Sequence, residues 1–253
     1  MTITVHHLGI SQSERIVWLM EELGLEYKLE IHTRDPLLSP DSLKSVPGNK
    51  TGKSPFISDS ETGVTLSESG AICEYIVNTY ANGQLSIPPP ARALAGAAPD
   101  TTAATKYADY LYWLHYANGT LQAEMVTNMF LGATSDPPET TMIKQFARSR
   151  MDAAWQLLDD RLKESKWLAG DEFTICDVMS VYPPTTQRYW GPQDDLSKYT
   201  NLLRWLKDCT DRPAYKRAME KGDPEMRIMN EGLPPKTSMM EVGGVVNSEH
   251  WKK

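Results

Sequence analysis

Hydrophobic positions change their period several times in the first eighty residues and then settle into a helical period beyond residue 101. The β-branched run ITVHHLG predicts a short strand that ends at Gly9. Polar ISQSER follows, and then Ile16, Leu19, Met20 and Leu23 fall at i, i+3, i+4 and i+7 with Gly24 in the position of a C-cap, which predicts a helix. Tyr27, Leu29 and Ile31 alternate directly after it and predict a second strand, parallel to the first and joined to it right-handedly. Residues 33–53 hold Pro36, Pro40, Pro47 and two glycines and read as loop. A hairpin is predicted from Ser54-Pro-Phe-Ile57 and Val64-Thr-Leu66 around a turn at 59–63. Next comes a helix with Ser67 as N-cap and Ala71, Ile72, Tyr75 and Ile76 on its apolar face.

Residues 85–101 are rich in proline and small side chains and predict a linker between residues 1–84 and an all-helical part over 102–222. One helical stripe there joins Tyr110, Leu114, Ala117, Leu121, Met125 and Met129. A second joins Ile143, Phe146, Ala147, Met151, Ala154, Leu157, Leu158 and Leu162, so two long antiparallel helices are expected. Thr174 followed by Asp177 has capping-box spacing and predicts a buried helix through Val181 that stops at Pro183-Pro184. Leu202, Leu203, Trp205 and Leu206 mark a further helix, and Arg212-Pro213 begins a last short one. Residues 223–253 lack periodicity and predict an irregular tail.

With 253 residues, 40% of them hydrophobic and 23% charged, the composition is that of an ordinary globular protein of one or two domains. Lys plus Arg total 26 against 33 Asp plus Glu, and the net charge of -7 argues against nucleic acid or anionic lipid as a partner. The N-terminus lacks the pattern of a secretory signal and no apolar stretch is long enough for a membrane span, so a cytoplasmic protein is expected. Three cysteines, Cys73, Cys176 and Cys209, form no C-x-x-C pair and read as buried free thiols. No metal site is expected: His6 and His7 alternate across a strand, and His32, His115 and His250 have no ligand spacing.

The helix start at residues 67–70 offers free backbone N–H groups, a partial positive charge and the Ser69 hydroxyl, a combination suited to a carboxylate, with Glu68 placed to receive an ammonium. The same Ser67, Glu68 and Ser69 are also compatible with simple capping of a helix. A βαβ unit, then ββα, a Pro-rich link and a helical half resembles the glutathione transferase superfamily, whose first domain is thioredoxin-like. Gly52 with Lys53-Ser54-Pro55-Phe56-Ile57 resembles that family's glycine, small residue, cis-proline and strand. Glu68-Ser69-Gly-Ala-Ile72 resembles its Glu-Ser-x-Ala-Ile, and Gly170-Asp171 with Thr174-Ile-Cys-Asp177 resembles its G-D-x-x-T-x-A-D box. The resemblance covers about residues 1–222 and looks nearest to fungal and bacterial transferases of the yeast-type branch.

The resemblance implies an α/β plus all-α fold, glutathione as cosubstrate, an electrophilic small molecule as second substrate and a homodimer. It assigns glutathione to Lys53, Ser54, Pro55, Glu68 and Ser69, with a cis Pro55 leaving the Ser54 backbone to pair with the cysteinyl residue and Lys53 near the glycyl carboxylate. The family's Asn-Pro-x-Gly reads Asn49-Lys-Thr-Gly52 here, so Lys44 and Lys50 are further candidates for that carboxylate. Thiol activation falls to a hydroxyl in Ser11-Gln-Ser13-Glu-Arg15, because neither tyrosine nor cysteine stands in that loop. Ser11 matches theta-like and zeta-like patterns, and Ser13 competes for the role. The electrophile is expected against Tyr107, Tyr110, Trp113, Leu114 and Ala117. Conjugation, as in detoxification, is one outcome; glutathione-dependent cis-trans isomerisation of an activated double bond, as in secondary metabolism, is another; a non-catalytic binding module is a third. Residues 223–253 are expected to be disordered, with Leu233-Pro-Pro or Trp251 folding over the electrophile as the alternative.

Overall fold

The computed structural model describes residues 3–91, 98, 100–134 and 141–253. Its first part contains β1 (Ile3–Leu8), α1 (Glu14–Leu23), β2 (Lys28–His32), a single helical turn α2 (Asp41–Lys44), β3 (Phe56–Asp59), β4 (Thr65–Ser67) and α3 (Ser69–Tyr80). The four strands form one sheet in the order β2-β1-β3-β4. As the sequence predicts, β1 and β2 are parallel, with Val5 opposite Leu29, and β3 and β4 form an antiparallel hairpin. This is a thioredoxin-like layer of mixed sheet and helices. Gly24 closes α1 in the left-handed conformation (φ 63°), the conformation that a glycine C-cap supplies at little steric cost.

The second part is helical: α4 (Thr101–Tyr116), α5 (Ala123–Gly132), α6 (Met142–Glu164), α7 (Ile175–Ser180), α8 (Thr200–Thr210) and α9 (Pro213–Gly222). Between α4 and α5 lies a π-helical segment at Ala117–Gln122, so the apolar stripe runs through a wider turn before it continues. Tyr110, Leu114, Ala117, Leu121 and Met125 on that stripe are buried. On α6 the buried stripe is narrower than predicted. Ala147, Met151, Ala154, Leu158 and Leu162 face the core, whereas Ile143 and Phe146 are each 64% exposed and Leu157 is 41% exposed. Phe146 and Leu157 each stand one residue from the buried row and so point about 100° away from it.

The predicted capping box is present: the Thr174 hydroxyl and the Asp177 carboxylate each accept a backbone N–H at the start of α7. Ser67 is not the cap of α3. It ends β4, and Glu68 takes the cap position without a side-chain cap bond. The expected linker falls partly on residues 92–97 and 99, which lie outside the described residues.

The two parts share one core. Helix α1 packs along α9 and α7, and Glu21 and Glu22 of α1 pair with Arg217, Lys221 and Arg212. Residues 223–253 are irregular but packed, which corrects the expectation of disorder. Met226, Met229, Met239 and Trp251 are buried, and backbone bonds join Met239 N–H to the Tyr189 carbonyl (2.8 Å) and Leu196 N–H to the Gly232 carbonyl (2.9 Å). Gly244 lies so close to the Pro36 carbonyl that a Cβ would come within 2.7 Å of its oxygen. Cys73, Cys176 and Cys209 are free and buried. No helix among the described residues is long and apolar enough to cross a membrane.

Candidate functional site

The loop from β1 to α1 is held by residues far away in sequence. Ile10 adopts φ 52°, a left-handed conformation that disfavours β-branched side chains. Its N–H donates to Asp223 Oδ1 (2.9 Å), and its carbonyl accepts from Trp190 Nε1 (3.0 Å) and Arg34 Nη2 (3.3 Å). Arg34 also donates from Nε to the Gly9 carbonyl (3.0 Å) and stacks 4.5 Å from the Trp190 ring centre.

This arrangement separates the two candidate serines. Ser11 lies on the wall of a cavity of about 350 Å³. Ser13 sits behind it, fully buried at the N-cap position of α1 and without a side-chain cap bond. Its Oγ is 2.7 Å from Ser11 Oγ and 2.9 Å from His7 Nδ1, and it accepts from Leu8 N–H at 3.2 Å.

The Ser54-Pro55 peptide is cis, as expected. Ser54 Oγ donates to the His6 carbonyl (2.8 Å) and accepts from Leu8 N–H (3.3 Å), which fixes this turn against the end of β1. Ser54 and Lys53 both line the cavity. Asn49 supports them from within the loop, its Nδ2 donating to the Leu43 and Lys53 carbonyls at 3.3 and 3.1 Å. Lys44 instead pairs with Asp41 at 3.1 Å and covers Gly52, and Lys50 is exposed away from the cavity lining. Of the three lysines, Lys53 is therefore the one positioned for a ligand.

At the start of α3, Glu68 is exposed and has φ 73°, the second strained non-glycine position beside the site. Ser69 is buried, and its Oγ accepts from Arg15 Nη1 and Asn118 Nδ2, each at 3.2 Å. With both bonds directed at its lone pairs, the Ser69 proton remains available to an anionic acceptor. Arg15 is fully buried and donates also to Gln12 Oε1 (3.0 Å), Asn118 Oδ1 (3.1 Å) and Gln122 Oε1 (3.1 Å). Burial lowers its pKa to about 10 by taking the guanidinium out of water. A cation buried in this way favours an anion beside Gln12 and Ser69.

The apolar wall of the cavity comes from Leu37, Val126, Met129, Phe130, Trp190 and Met240. Tyr110, Trp113, Leu114 and Ala117, which the sequence places in the electrophile pocket, lie in the helical core, and half-buried Tyr107 packs against that core. None of them lines this cavity. The π-helical segment and α5 carry the chain onward, so the wall is formed further along at Gln122, Val126, Met129 and Phe130. Met240 closes the cavity from the tail, whereas Leu233 is 68% exposed and Trp251 packs beneath the Gly9-Ile10 turn, in a separate hollow.

His6 and His7 point to opposite faces of β1, as their alternation predicts, but His6 and His32 are not dispersed. His6 Nδ1 lies 3.3 Å from both His32 Nε2 and Glu30 Oε2, and the remaining ring nitrogens meet Ser58 and Ser42. Every nitrogen in this cluster thus has a protein partner.

Comparison with known proteins agrees with this geometry. Residues 11–79 match the glutathione S-transferase N-terminal domain family and residues 125–213 match the glutathione S-transferase C-terminal domain family. The chain belongs to the glutathione S-transferase superfamily. It is 28% identical to glutathione S-transferase 3 of Schizosaccharomyces pombe over 87% of each chain. It is also 28% identical to the Escherichia coli K12 glutathione S-transferase GstB, covering 81% of this chain and 91% of that one. Among solved structures, a glutathione S-transferase from Actinobacillus pleuropneumoniae superposes with a TM-score of 0.69 at 26% identity, covering 87% of this chain and 93% of the other.

Within this transferase, Arg15 invites a direct test. Lysine keeps the charge but lacks the fork that reaches Gln12, Ser69, Asn118 and Gln122 together. Arg15→Lys is expected to weaken glutathione binding roughly tenfold, the equivalent of ~1.4 kcal/mol, measured by calorimetric titration. Unchanged affinity would show that the guanidinium only supports the fold.

Proposed function

We propose that the protein binds glutathione across the groove from Ser69 to Lys53, activates its thiol at Ser11 and transfers it to an electrophilic small molecule in the 350 Å³ cavity. The observation that carries this reading is the position of Ser11: it borders the same cavity as Ser54 and Lys53, while Ser13 is fully buried and does not. The γ-glutamyl carboxylate would meet the N-terminus of α3, Ser69 and the field of Arg15; its ammonium would meet Glu68. Ser54 and Pro55 would face the cysteinyl backbone and Lys53 the glycyl carboxylate. An apolar wall with a few polar groups suits a hydrophobic electrophile.

Free thiols ionise near pH 8.5, so a hydroxyl donor and the start of α1 must favour the thiolate. A downward shift of about two units corresponds to ~2.7 kcal/mol. The test is the ultraviolet absorbance of the bound thiolate against pH. Wild type is expected to ionise the thiol well below its free value, and Ser11→Ala to return it towards that value. Tight binding without a shift would favour a binding module, and the absence of binding would overturn the glutathione site. Turnover with one glutathione consumed per product identifies conjugation; regenerated glutathione identifies isomerisation.

The proposed setting is the cytoplasm and the proposed assembly a homodimer, a reading supported by exposed Met142, Ile143 and Phe146 at the start of α6. Size measurement by light scattering at micromolar concentration should give twice 28.4 kDa; a monomer would remove the dimer.

A further inference from the structure

The hydrogen bonds behind Ser11 do not stop at Ser13. Ser13 Oγ lies 2.9 Å from His7 Nδ1, and His7 Nε2 lies 3.1 Å from Asp223 Oδ2. Ser11, Ser13, His7 and Asp223 thus form a continuous file that joins the cavity wall to the end of α9. All four are buried, and among them only Ser11 borders the cavity. We propose that this file receives the thiol proton of glutathione and stores it on His7, so that the thiolate forms without releasing a proton to solvent. The inference rests on the reading of Ser11 as the thiol's partner.

The partners fix the direction of each bond. The Asp223 carboxylate accepts from Ile10 N–H through Oδ1, and through Oδ2 it accepts from His7, so Nε2 carries the hydrogen in the neutral ring. His7 Nδ1 is then an acceptor and receives the Ser13 hydroxyl's hydrogen bond at 2.9 Å, a shorter contact than the 3.4 Å to the Leu8 carbonyl, the other acceptor within reach. Ser13 Oγ in turn accepts from Leu8 N–H and from the Ser11 hydroxyl. Ser11 Oγ accepts from Ser13 N–H (3.2 Å), which leaves one lone pair to take a hydrogen bond from a thiol.

Proton transfer runs along these same contacts. The S–H bond breaks as a new O–H forms on Ser11; the old Ser11 proton moves to Ser13; the old Ser13 proton moves to His7 Nδ1. A thiol and a neutral imidazole become a thiolate and an imidazolium, and Asp223 balances the new cation. Each hydrogen bond has then reversed. His7 donates to Ser13, Ser13 to Ser11, and Ser11 to the thiolate. Both states satisfy every hydroxyl in the file, so a single set of atomic positions serves the neutral and the ionised thiol.

Two features hold the ring in place. Gly222 leaves room for it, since a Cβ there would lie 3.2 Å from His7 Nε2. Asp223 fixes the tautomer and at the same time holds the Ile10 turn that presents Ser11. The other ionisable groups near the file are Glu14 and Arg15 at the start of α1, Arg34 after β2, Tyr182 after α7, Tyr215 on α9 and His32 on β2, which is electrostatically linked to His7. His7, Ser13 and Asp223 are positioning residues, because Ser11 alone meets the thiol.

The experiment counts protons. Glutathione is titrated into the protein near pH 7 by calorimetry in buffers of different ionisation enthalpy, with thiolate absorbance followed in parallel. Wild type is expected to form thiolate while releasing close to no protons. Asp223→Asn keeps an acceptor for Ile10 but turns an amide donor towards His7 Nε2, which moves the ring proton to Nδ1 and removes the acceptor for Ser13. This variant is expected to release its thiol proton to solvent, to raise the bound thiol pKa by about one unit and to lower kcat roughly tenfold with little change in KM for glutathione. If the variant does not fold, the wild-type proton count still decides, and nitrogen NMR of His7 should show Nδ1 gaining a proton when glutathione is added. Thiolate formation with about one proton released per site from wild type would overturn the relay and leave the serine reading standing. Failure to form thiolate in wild type would overturn the serine reading, and the relay with it.

Discussion

Glu14→Gln is expected to stabilise the protein by ~4 kcal/mol above pH 8 and to leave its stability unchanged below about pH 3.5, where both side chains are neutral in the folded and the unfolded chain. Glu14 is the first residue of α1 and is almost completely buried where the two parts of the chain meet. Its carboxyl oxygens accept from the hydroxyls of Thr186 and Thr185. Burial pushes its pKa up to about 8, opposed by the Thr186 bond and reinforced by Asp223. In the unfolded chain the group ionises near 4.5. Between those values the folded state holds a proton that the unfolded state has released. Its contribution to stability is therefore complete below about pH 4.5, declines as pH rises, and is lost above about pH 8. Glutamine copies the neutral acid: its oxygen can accept from Thr186, and its amide can donate to the Thr185 oxygen. Denaturant unfolding of both proteins from about pH 3.5 to 9 checks this. Parallel pH profiles would show that folding does not raise the Glu14 pKa. The neutral acid also matters to the site, because it spares Asp223 a second carboxylate charge across the β1–α1 loop.

What the sequence made legible was local. The 3.6-residue period of Ile16, Leu19 and Met20, the glycine after Leu23, and the pairing of Thr174 with Asp177 each state their own structure, and each appears where expected. The glutathione side of the site is legible for the same reason, since Lys53, Ser54 and Pro55 sit together in the chain and Glu68 and Ser69 open one helix. The rest of the site is assembled from distant pieces. Arg34, Trp190 and Asp223 shape the turn before Ser11, yet each stands in a stretch without periodicity, and nothing near it in sequence indicates its partner. His7 is a strand residue by pattern, and only Asp223 gives its second nitrogen a role.

Two expectations are corrected by packing. The resemblance places Tyr107, Tyr110, Trp113, Leu114 and Ala117 at the pocket, whereas an aromatic stripe at helical spacing more often belongs to a core. Here α4 turns its aromatic side inward: Tyr116 donates to the Ala154 carbonyl of α6 at 2.8 Å, and Trp113 packs against Tyr116. In the tail, a lack of periodicity implied a lack of packing. Met226, Met229 and Met239 are buried one at a time, each placed by an irregular backbone that bonds to the α7–α8 connection or to the tail itself. Periodicity detects regular elements, and a segment that closes a site need not be one.

The second large effect is expected at Asp177, far from the thiol. Asp177→Ala should destabilise the fold by ~4 kcal/mol, because three buried donors lose one carboxylate: Leu168 N–H at 3.0 Å, Thr174 N–H at 3.0 Å and Trp205 Nε1 at 2.8 Å. A lost helix cap alone costs about 1 kcal/mol, and each donor left without a partner in a dry interior adds a similar amount or more. Against a typical domain stability of roughly 5–15 kcal/mol, that loss puts a substantial unfolded fraction within reach of mild denaturant. Asp177→Asn should fall between the two, since it retains one acceptor oxygen but turns an amide towards one of the three N–H groups. The effect on function follows from the contacts of α7, which packs against α1 and α3, the helices at whose starts Ser13 and Ser69 stand. Glutathione binding should therefore fall with the folded fraction and recover as excess ligand draws the equilibrium back. Unfolding midpoints measured with and without glutathione separate the possibilities. If Asp177→Ala melts at the wild-type midpoint, the box is surface decoration; if it melts early and glutathione restores it, α7 is the brace on which the binding groove is built.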